Sequence, residues 1–507
     1  MNIRSLTGWN RNDKEGLVVA ATIGIDVGTS STKGVLVDSE GLVLASATRE
    51  HSVQRPSPGY VEMDAELWWS ELVSIVRELL TAVPDAVPEA IGVSGMGPCV
   101  VLLDEHMKAV RPAILYGVDT RGSSQISRLT EELGADEIIA TGGTALTSQA
   151  AGPKIAWVRE QEPEIFAKAV AFAMPASFLA LRLTDTIALD HHSASQCWPL
   201  YDLEAATWKL DWWDTIAPGI APPPLVLPTS MVGRVTPAAA AATGLPEGIP
   251  VAMGTIDAWT EAVSAGATRT GDLMLMYGTT MFLVATTDRR PAAPGMWTTR
   301  GVSEGSYSLA GGMATSGAIT GWLRDLVSSD FTTLSRMAAD SGVGARGLLM
   351  LPYFAGERTP IQDPLARGAV IGMTLDTTAG DLYRAALEAV AFGVRHNIEV
   401  MREAGVTIER VVAVGGGTAG GVWTHIVSDV TGMPQVVPSV TVGASFGAAF
   451  LAAGLTGEPD IEAWNPPAEV IEPDPARMAV YGDLYALYRD FYPATRDIAH
   501  ALASTQH

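Results

Sequence analysis

The chain carries the same strand–turn–strand segment twice, once in each half. The first copy, Ile23-Gly24-Ile25-Asp26-Val27-Gly28-Thr29-Ser30-Ser31-Thr32-Lys33, is an apolar run with one acid in its middle. It breaks at a glycine, presents consecutive hydroxyl side chains and resumes as Gly34-Val35-Leu36-Val37-Asp38. That pattern is a tight β-hairpin. A turn of Gly with Thr or Ser lets backbone N–H groups and hydroxyls approach phosphate oxygens closely. An aspartate beside such a turn is placed to hold Mg²⁺, commonly through water. Taken alone, the segment reads equally well as an ordinary hairpin. The second copy, Leu275-Met276-Tyr277-Gly278-Thr279-Thr280-Met281-Phe282-Leu283-Val284, removes that ambiguity. Aligning Gly28 with Gly278 and Thr29 with Thr279 sets Met276 opposite Asp26. The turn is duplicated and the acid is not. Two phosphate-type turns imply a nucleotide held between two related domains, with the metal-associated carboxylate in the first half only.

At 507 residues the chain exceeds what one core organises, so two domains of similar size are expected. No apolar run is long and pure enough to span a bilayer. The net charge of −23 argues against nucleic acid or an anionic membrane as partner, since both need a basic face. An anionic nucleotide stays admissible, because local donors and Mg²⁺ reverse the field inside a cleft. Cys99 and Cys197 lie far apart and offer neither metal-ligand spacing nor a disulfide framework. A reducing cytoplasm fits, with each cysteine a small buried apolar residue. Residues 1–20 lack the apolar core of a signal peptide and are expected to be an extension of no assigned role.

Along the chain, strands are expected around 22–27, 33–38 and 42–49, then a helix over 65–82 with Trp68, Leu72, Val76 and Leu80 at helical spacing. Short strands are expected at 91–94 and 100–104, and 154–183 reads as mostly helical. Trp198, Trp208, Trp212 and Trp213 read as core filling rather than a sugar-stacking platform. His191 and His192 read as surface residues rather than pocket neighbours. A buried strand from Pro250 ends at Ile256-Asp257-Ala258-Trp259, and the domain boundary falls near 265, giving domains of 21–265 and 266–507. Thr378-Ala379-Gly380-Asp381 resembles a capping box that opens a helix to Ala404, stopped by Gly405. The strand 411–414 runs into Gly415-Gly416-Gly417-Thr418-Ala419-Gly420, with a helix over 422–431. Such a turn lets a ligand meet a helix N-terminus. It is not G-x-G-x-x-G and no acid follows at ribose distance, which disfavours a dinucleotide fold. The small-residue helix opening at Val442-Gly443-Ala444 suits close packing against a nucleotide or a neighbouring element.

These features together resemble the FGGY family of carbohydrate kinases over nearly the whole chain, from about Thr22 to about Tyr492. The first hairpin is similar to that family's first phosphate motif, Tyr277-Gly278-Thr279-Thr280 to its second, and Gly415-Gly416-Gly417 to its adenosine-side turn. The most specific piece is Leu351-Pro352-Tyr353-Phe354-Ala355-Gly356-Glu357-Arg358-Thr359-Pro360, continuing through Asp363-Pro364 to Arg367-Gly368, and it lies closest to the xylulose kinase branch. The resemblance implies an α/β fold of two actin-like ATPase (ribonuclease H-like) domains around a central cleft. It implies ATP and Mg²⁺, a sugar or polyol substrate, and transfer of the γ-phosphoryl group to a hydroxyl. Relatives of the family commonly dimerise, so a homodimer is the assembly it allows.

Phosphoryl transfer needs positioning, charge neutralisation and a carboxylate that takes the hydroxyl proton late. Asp257 is the candidate base, by resemblance to the family's Gly-x-x-Asp signature; read from its neighbours alone it is a helix N-cap. Asp26 and Asp257 are the candidates for Mg²⁺. Gly28, Thr29, Ser30, Lys33, Gly278, Thr279 and Thr280 are expected toward the phosphates, with Gly415, Gly416, Gly417 and Thr418 toward the nucleoside. Met96, Gly97 and Pro98 occupy the segment where the family differs by substrate. Glycerol kinases carry Arg-Glu there and well-known xylulose kinases Met-His, and this chain has Gly97-Pro98 instead. Losing that imidazole removes a hydrogen bond worth roughly 0.5–1.5 kcal/mol. Asp119 and Arg121 match the family's Trp-x-Asp-x-Arg element and either touch sugar hydroxyls or form a salt bridge. The alternatives to a pentose-type acceptor are a tetritol or other polyol, or a non-catalytic actin-like nucleotide or sugar sensor. An actin-like chaperone ATPase is disfavoured, because no β-rich peptide domain with a helical lid follows the second nucleotide half.

Overall fold

Two sheets organise the chain, and each is built around one of the duplicated hairpins. The computed structural model describes residues 19–506. The expectation for residues 1–20 falls outside the described residues, except that Val19 and Ala20 already belong to the first strand. The first sheet contains β1 (Val19–Val27), β2 (Ser31–Asp38), β3 (Val43–Glu50), β4 (Ala86–Gly95), β5 (Met231–Arg234) and β6 (Pro250–Ala252), in the order β5-β6-β4-β1-β2-β3. The second contains β7 (Asp272–Tyr277), β8 (Met281–Thr287), β9 (Trp297–Arg300), β10 (Tyr307–Met313), β11 (Arg410–Val414), β12 (Gln435–Pro438) and β13 (Pro467–Ile471), in the order β9-β10-β8-β7-β11-β12-β13. In both sheets the hairpin's first strand pairs antiparallel with its second and parallel with a later strand. The two halves therefore repeat one topology.

Helix α1 (Ala65–Ala82) has the bounds its periodicity predicts, opens on Asp64, which accepts from the Glu66 N–H, and buries Trp68, Leu72, Ile75, Val76 and Leu79. Strand β1 starts earlier than expected because Val19 to Ala21 pair with Ala86 to Pro88 of β4, a distant partner that local pattern does not reveal. The region expected to be mostly helical holds helices at Ala151–Gln161, Pro163–Phe166 and Pro175–Thr184, but also a strand, Ala171–Ala173, paired with Val101–Leu103. Trp198, Trp208, Trp212 and Trp213 are buried in a core of their own beside the first sheet. Short helix α2 (His191–Ser195) precedes them, and α3 (Asp257–Ser264) closes the first half. In the second half, α4 (Ala379–Glu403) begins with the capping box of Thr378 and Asp381 and ends before Gly405, whose φ is +86°. Helix α5 (Val422–Thr431) follows β11, α6 (Ala444–Ala453) follows β12, and α7 (Pro475–Ala503) completes the described chain. Among the described residues, no helix is long and apolar enough to cross a membrane.

Helix α6 belongs to the second half by sequence and packs on the first sheet. Its small residues lie directly against glycines. A Cβ on Gly24 of β1 would stand 1.9 Å from the Ser445 carbonyl oxygen, and one on Gly92 of β4 2.1 Å from that of Ala448. On the other side, a Cβ on Gly447 of α6 would stand 2.0 Å from the Thr260 carbonyl of α3. Backbone meets backbone at all three points, so side-chain rotation cannot make room.

Gly24→Ala is therefore expected to destabilise the fold by at least the ~1–3 kcal/mol typical of overpacking. Gly482→Ala in α7, where an added Cβ meets nothing within 4 Å, is expected to raise stability by up to about 1 kcal/mol. Urea denaturation of both variants checks this; an unchanged midpoint for Gly24→Ala contradicts the close approach.

Candidate active site

The register of the first hairpin explains why its acid matters. Asp26 in β1 stands opposite Lys33 on β2 and Ser94 on β4. At the equivalent place in the second sheet, Met276 stands opposite Phe282 and Val414. The same scaffold is thus polar in one half and apolar in the other. Asp26 keeps part of its surface on a cleft of about 470 Å³ between the halves, yet its Oδ1 is buried without a hydrogen-bond partner.

Helix α3 brings two more carboxylates to the same cleft. Asp257 is the first residue of α3, where Ile256 takes the N-cap position. Its Oδ1 accepts from the adjacent Ala258 N–H at 2.7 Å, and no described residue hydrogen-bonds Oδ2. Glu261 lies one turn further on and lines the cleft with Asp26, Lys33 and Asp257. Burial pushes Asp26 up to about 6, with the neighbouring Ser94 hydroxyl and then Lys33 opposing the rise. Burial and then the Asp26 charge push Asp257 up to about 7. Glu261 rises to about 7, first by burial and then by Asp26. Three carboxylates on one cleft oppose one another's full ionisation. Among the described residues, no three His, Cys, Asp or Glu side chains converge to hold a metal by themselves.

The second hairpin forms a wall between two cavities. Met276, Thr280 and Phe282 face the first cleft. Tyr277, Gly278 and Thr279 face a second cavity of about 830 Å³, together with Gly416, Gly417 and Trp423. Gly415 has φ +93°, and a Cβ there would come within 2.6 Å of the Tyr277 carbonyl, so the glycine turn lies against β7. Gly415 and Thr418 shape this turn, with the Thr418 hydroxyl donating to the Gly415 carbonyl at 2.8 Å, but line neither cavity.

In the first turn, Lys33 reaches the cleft, whereas Gly28, Thr29 and Ser30 line neither cavity. Thr29 Oγ1 is 2.9 Å from the hydroxyl of Tyr116, a cleft residue. The Gly28 carbonyl is held by His51 Nε2 at 3.0 Å, and His51 Nδ1 lies 2.9 Å from the Glu71 carboxylate, itself bonded by the Thr32 hydroxyl. The turn is therefore braced from behind.

The substrate-side candidates divide. Gly97 lines the cleft, while Met96 is buried behind it, with its sulfur 3.7 Å from Thr29 Oγ1, and Pro98 is buried as well. Asp119 and Arg121 do not line the cleft. Both side chains are fully buried in a 2.7 Å ion pair, with Arg121 also bonded to Glu62 and stacked on Tyr60 at 4.2 Å. Asp119 additionally accepts from the Val61 N–H at 2.6 Å. Of the two readings for this pair, sugar contact or salt bridge, the structure has the salt bridge, with Arg121 paired to Asp119 and Glu62 inside the protein. The surface expectation for His192 is corrected. It is fully buried, bonded to the Arg300 carbonyl at 2.7 Å and packed 4.0 Å from the Trp259 ring. Of the tryptophans assigned to core, Trp198 also edges the cleft.

Glu261, Tyr116, Gln149, Gln196 and Arg358 line the cleft and were missed as site residues. Two of them carry a sequence signal: Glu261 lies four residues after Asp257, on one face of a helix, and Arg358 falls within the connector segment that starts at Leu351.

The family model for the N-terminal domain of the FGGY family of carbohydrate kinases matches residues 21–264, and that for the C-terminal domain matches residues 273–455. The xylulose kinase of Bacillus subtilis (strain 168) is 30% identical over 496 residues, covering 95% of this chain and 98% of its own length. A glycerol kinase of Roseiflexus sp. (strain RS-1) is 30% identical over 454 residues, covering 85% of this chain and 89% of its own. The crystal structure of the xylulose kinase from Rhodospirillum rubrum superposes with a TM-score of 0.89 at 33% identity, over 95% of this chain and 100% of that one.

The three raised carboxyl groups make stability depend on pH. Each holds its proton to higher pH in the fold than in the unfolded chain. Their contribution is therefore complete below the ordinary carboxylate range and is lost as pH rises through about 6 to 7. In metal- and nucleotide-free buffer, Asp26→Asn is expected to gain in melting temperature relative to the parent chain as pH rises from 3.8 to about 6, and to gain little further above that. Scanning calorimetry checks this; a difference that does not vary with pH contradicts it.

Proposed function

The chain belongs to the FGGY family of carbohydrate kinases, and from that premise we propose that it is an ATP-dependent sugar kinase of xylulose kinase type, transferring the γ-phosphoryl group to a hydroxyl of a ketopentose or related sugar or polyol. The observation that carries the reading is the meeting of Asp26, Lys33, Asp257 and Glu261 in one cleft, across the second hairpin from a glycine-lined cavity. Under this reading the nucleoside of ATP occupies the larger cavity beside Gly416, Gly417 and Trp423, and the acceptor occupies the smaller cleft. Gly278 and Thr279 line the larger cavity and Thr280 the cleft, so that their turn receives the phosphates between the two.

The acceptor oxygen attacks the γ-phosphorus, the bond from that phosphorus to the β–γ bridging oxygen breaks, and ADP leaves. Asp257 takes the acceptor's proton as the new bond forms. Its raised affinity for a proton suits a base that works near neutral pH, and the uncommitted Oδ2 is the oxygen available for it. Lys33 sets a positive charge beside the phosphates. Mg²⁺, when bound, would neutralise phosphate charge, and Asp26, with its partnerless buried oxygen, fits it together with Asp257, water and phosphate oxygens. The two free, buried cysteines agree with a cytoplasmic setting.

A polyol acceptor is the second reading. It is favoured by Gly97, which lines the cleft without a side chain, and by the absence of an imidazole beside it.

Asp257→Asn is expected to lower kcat for acceptor-dependent ADP release by ~10²–10⁴-fold, with ATP affinity by calorimetry little changed. The assay runs Mg·ATP against ketopentoses, aldopentoses, tetritols, pentitols and glycerol. Near-parental turnover in the variant removes Asp257 as base.

A further inference from the structure

Two glutamines face the cleft that holds Asp257, and each has one end of its amide already committed. Gln149 Oε1 accepts from the Gly117 N–H at 3.0 Å. The amide lies so close over that glycine that a Cβ on residue 117 would come within 2.7 Å of Gln149 Cδ. Gln149 Nε2 has no partner among the described residues, so its open end is a donor.

Gln196 has the opposite polarity. Its Nε2 lies 2.9 Å from His192 Nε2. His192 Nδ1 lies 2.7 Å from the Arg300 carbonyl oxygen, which can only accept, so Nδ1 carries the hydrogen. The ring is completely buried, and burial holds it neutral by pushing its pKa down to about 3. His192 Nε2 is therefore bare and accepts, Gln196 donates to it from Nε2, and the open end of Gln196 is its carbonyl oxygen. Arg300 belongs to β9 of the second half, and its own N–H donates to Ser195 Oγ at 3.0 Å. The relay that orients Gln196 thus bridges the two halves.

We propose that Gln149 and Gln196 are specificity-determining residues that read hydroxyls of the acceptor as a matched donor and acceptor, with His192 as the positioning residue that fixes the polarity of Gln196. The inference rests on the kinase reading and adds to it. A hydroxyl both donates and accepts, so a compound with several hydroxyls satisfies both amide ends at once. A carboxylate only accepts. It would leave the Gln196 oxygen unpaired and would add charge to a cleft that already holds Asp26, Asp257 and Glu261, with Lys33 and Arg358 as the cations facing it.

The test measures kcat/KM for D-xylulose, or, where D-xylulose is not turned over, for the best acceptor among the other ketopentoses, aldopentoses, tetritols, pentitols and glycerol, and for analogues that each lack one hydroxyl. Gln149→Leu keeps the volume and removes the open donor. Gln196→Leu keeps the volume and removes the open acceptor. Each is expected to raise KM for the acceptor ~5- to 100-fold, to leave KM for ATP unchanged, and to abolish the penalty for one missing hydroxyl. His192→Phe keeps a ring against Trp259 and is expected to relax that same discrimination at Gln196, an effect that a merely structural role would not produce. Melting temperatures establish that the variants are folded. If the parent chain turns over an acceptor and both glutamine variants retain the full penalty at every hydroxyl, the inference is overturned and the kinase reading stands. If the parent chain turns over no ketopentose, aldopentose, tetritol, pentitol or glycerol, the kinase reading itself fails, and this inference with it.

Discussion

The cleft exists because α6 lies in backbone contact with β1, β4 and α3. Along this seam, a single added methyl at Gly24, Gly92 or Gly447 would strike a carbonyl oxygen. This packing ties the second half to the sheet that carries Asp26 and to the helix that carries Asp257 and Glu261. It also brings the start of α6, Gly443 and Ala444, to the wall of the cleft beside Glu261. At Gly443, φ is +97° and an added Cβ would meet the Glu261 carboxylate at 2.7 Å. The relative placement of the carboxylates follows from a seam that admits almost no alternative spacing, since interiors are packed to the density of organic crystals.

On that frame, one duplicated hairpin carries two different duties. In the first copy, Asp26 and Lys33 face one another across neighbouring strands and put charge into the cleft. In the second copy, Met276 and Phe282 hold the same positions and line the opposite side with apolar surface, while the following turn separates the two cavities. The pseudo-symmetric scaffold positions backbone turns at equivalent places; side chains at a single register decide which half holds charge. Bracing differs too. The first turn is anchored through His51 and Glu71, and the second through the N–H groups of Ser316, Gly317 and Ala318, which donate to the Gly278 and Thr279 carbonyls.

Much of this was legible in the chain because it rests on local chemistry. Both hairpins, the helix at Ala65–Ala82 and the Thr378 capping box follow from residue spacing within a few turns or strands, and the asymmetry between Asp26 and Met276 is visible on alignment. What was not legible depends on partners far away in sequence. His192 reads as a surface residue until Arg300, 108 residues later, covers it. Asp119 and Arg121 look like pocket residues until Glu62 and Tyr60 are seen to close around them. Gln149 and Gln196 are ordinary polar residues in isolation, and their amide polarity is defined only by Gly117, His192 and the second half. Glu261 is legible through its spacing from Asp257, four residues along one face of a helix.

The central claim is that the second hairpin separates a nucleoside compartment from an acceptor compartment, with the γ-phosphoryl group presented between them to Asp257. A crystal structure with Mg²⁺, a non-hydrolysable ATP analogue and a bound polyol tests it most directly. The account predicts the adenosine against Gly416, Gly417 and Trp423, the terminal phosphate at the Gly278–Thr280 turn, and an acceptor hydroxyl within hydrogen-bond distance of the Asp257 carboxylate. A nucleotide lying wholly inside the cleft of Asp26 and Gln196, or an acceptor bound away from Asp257, would contradict it.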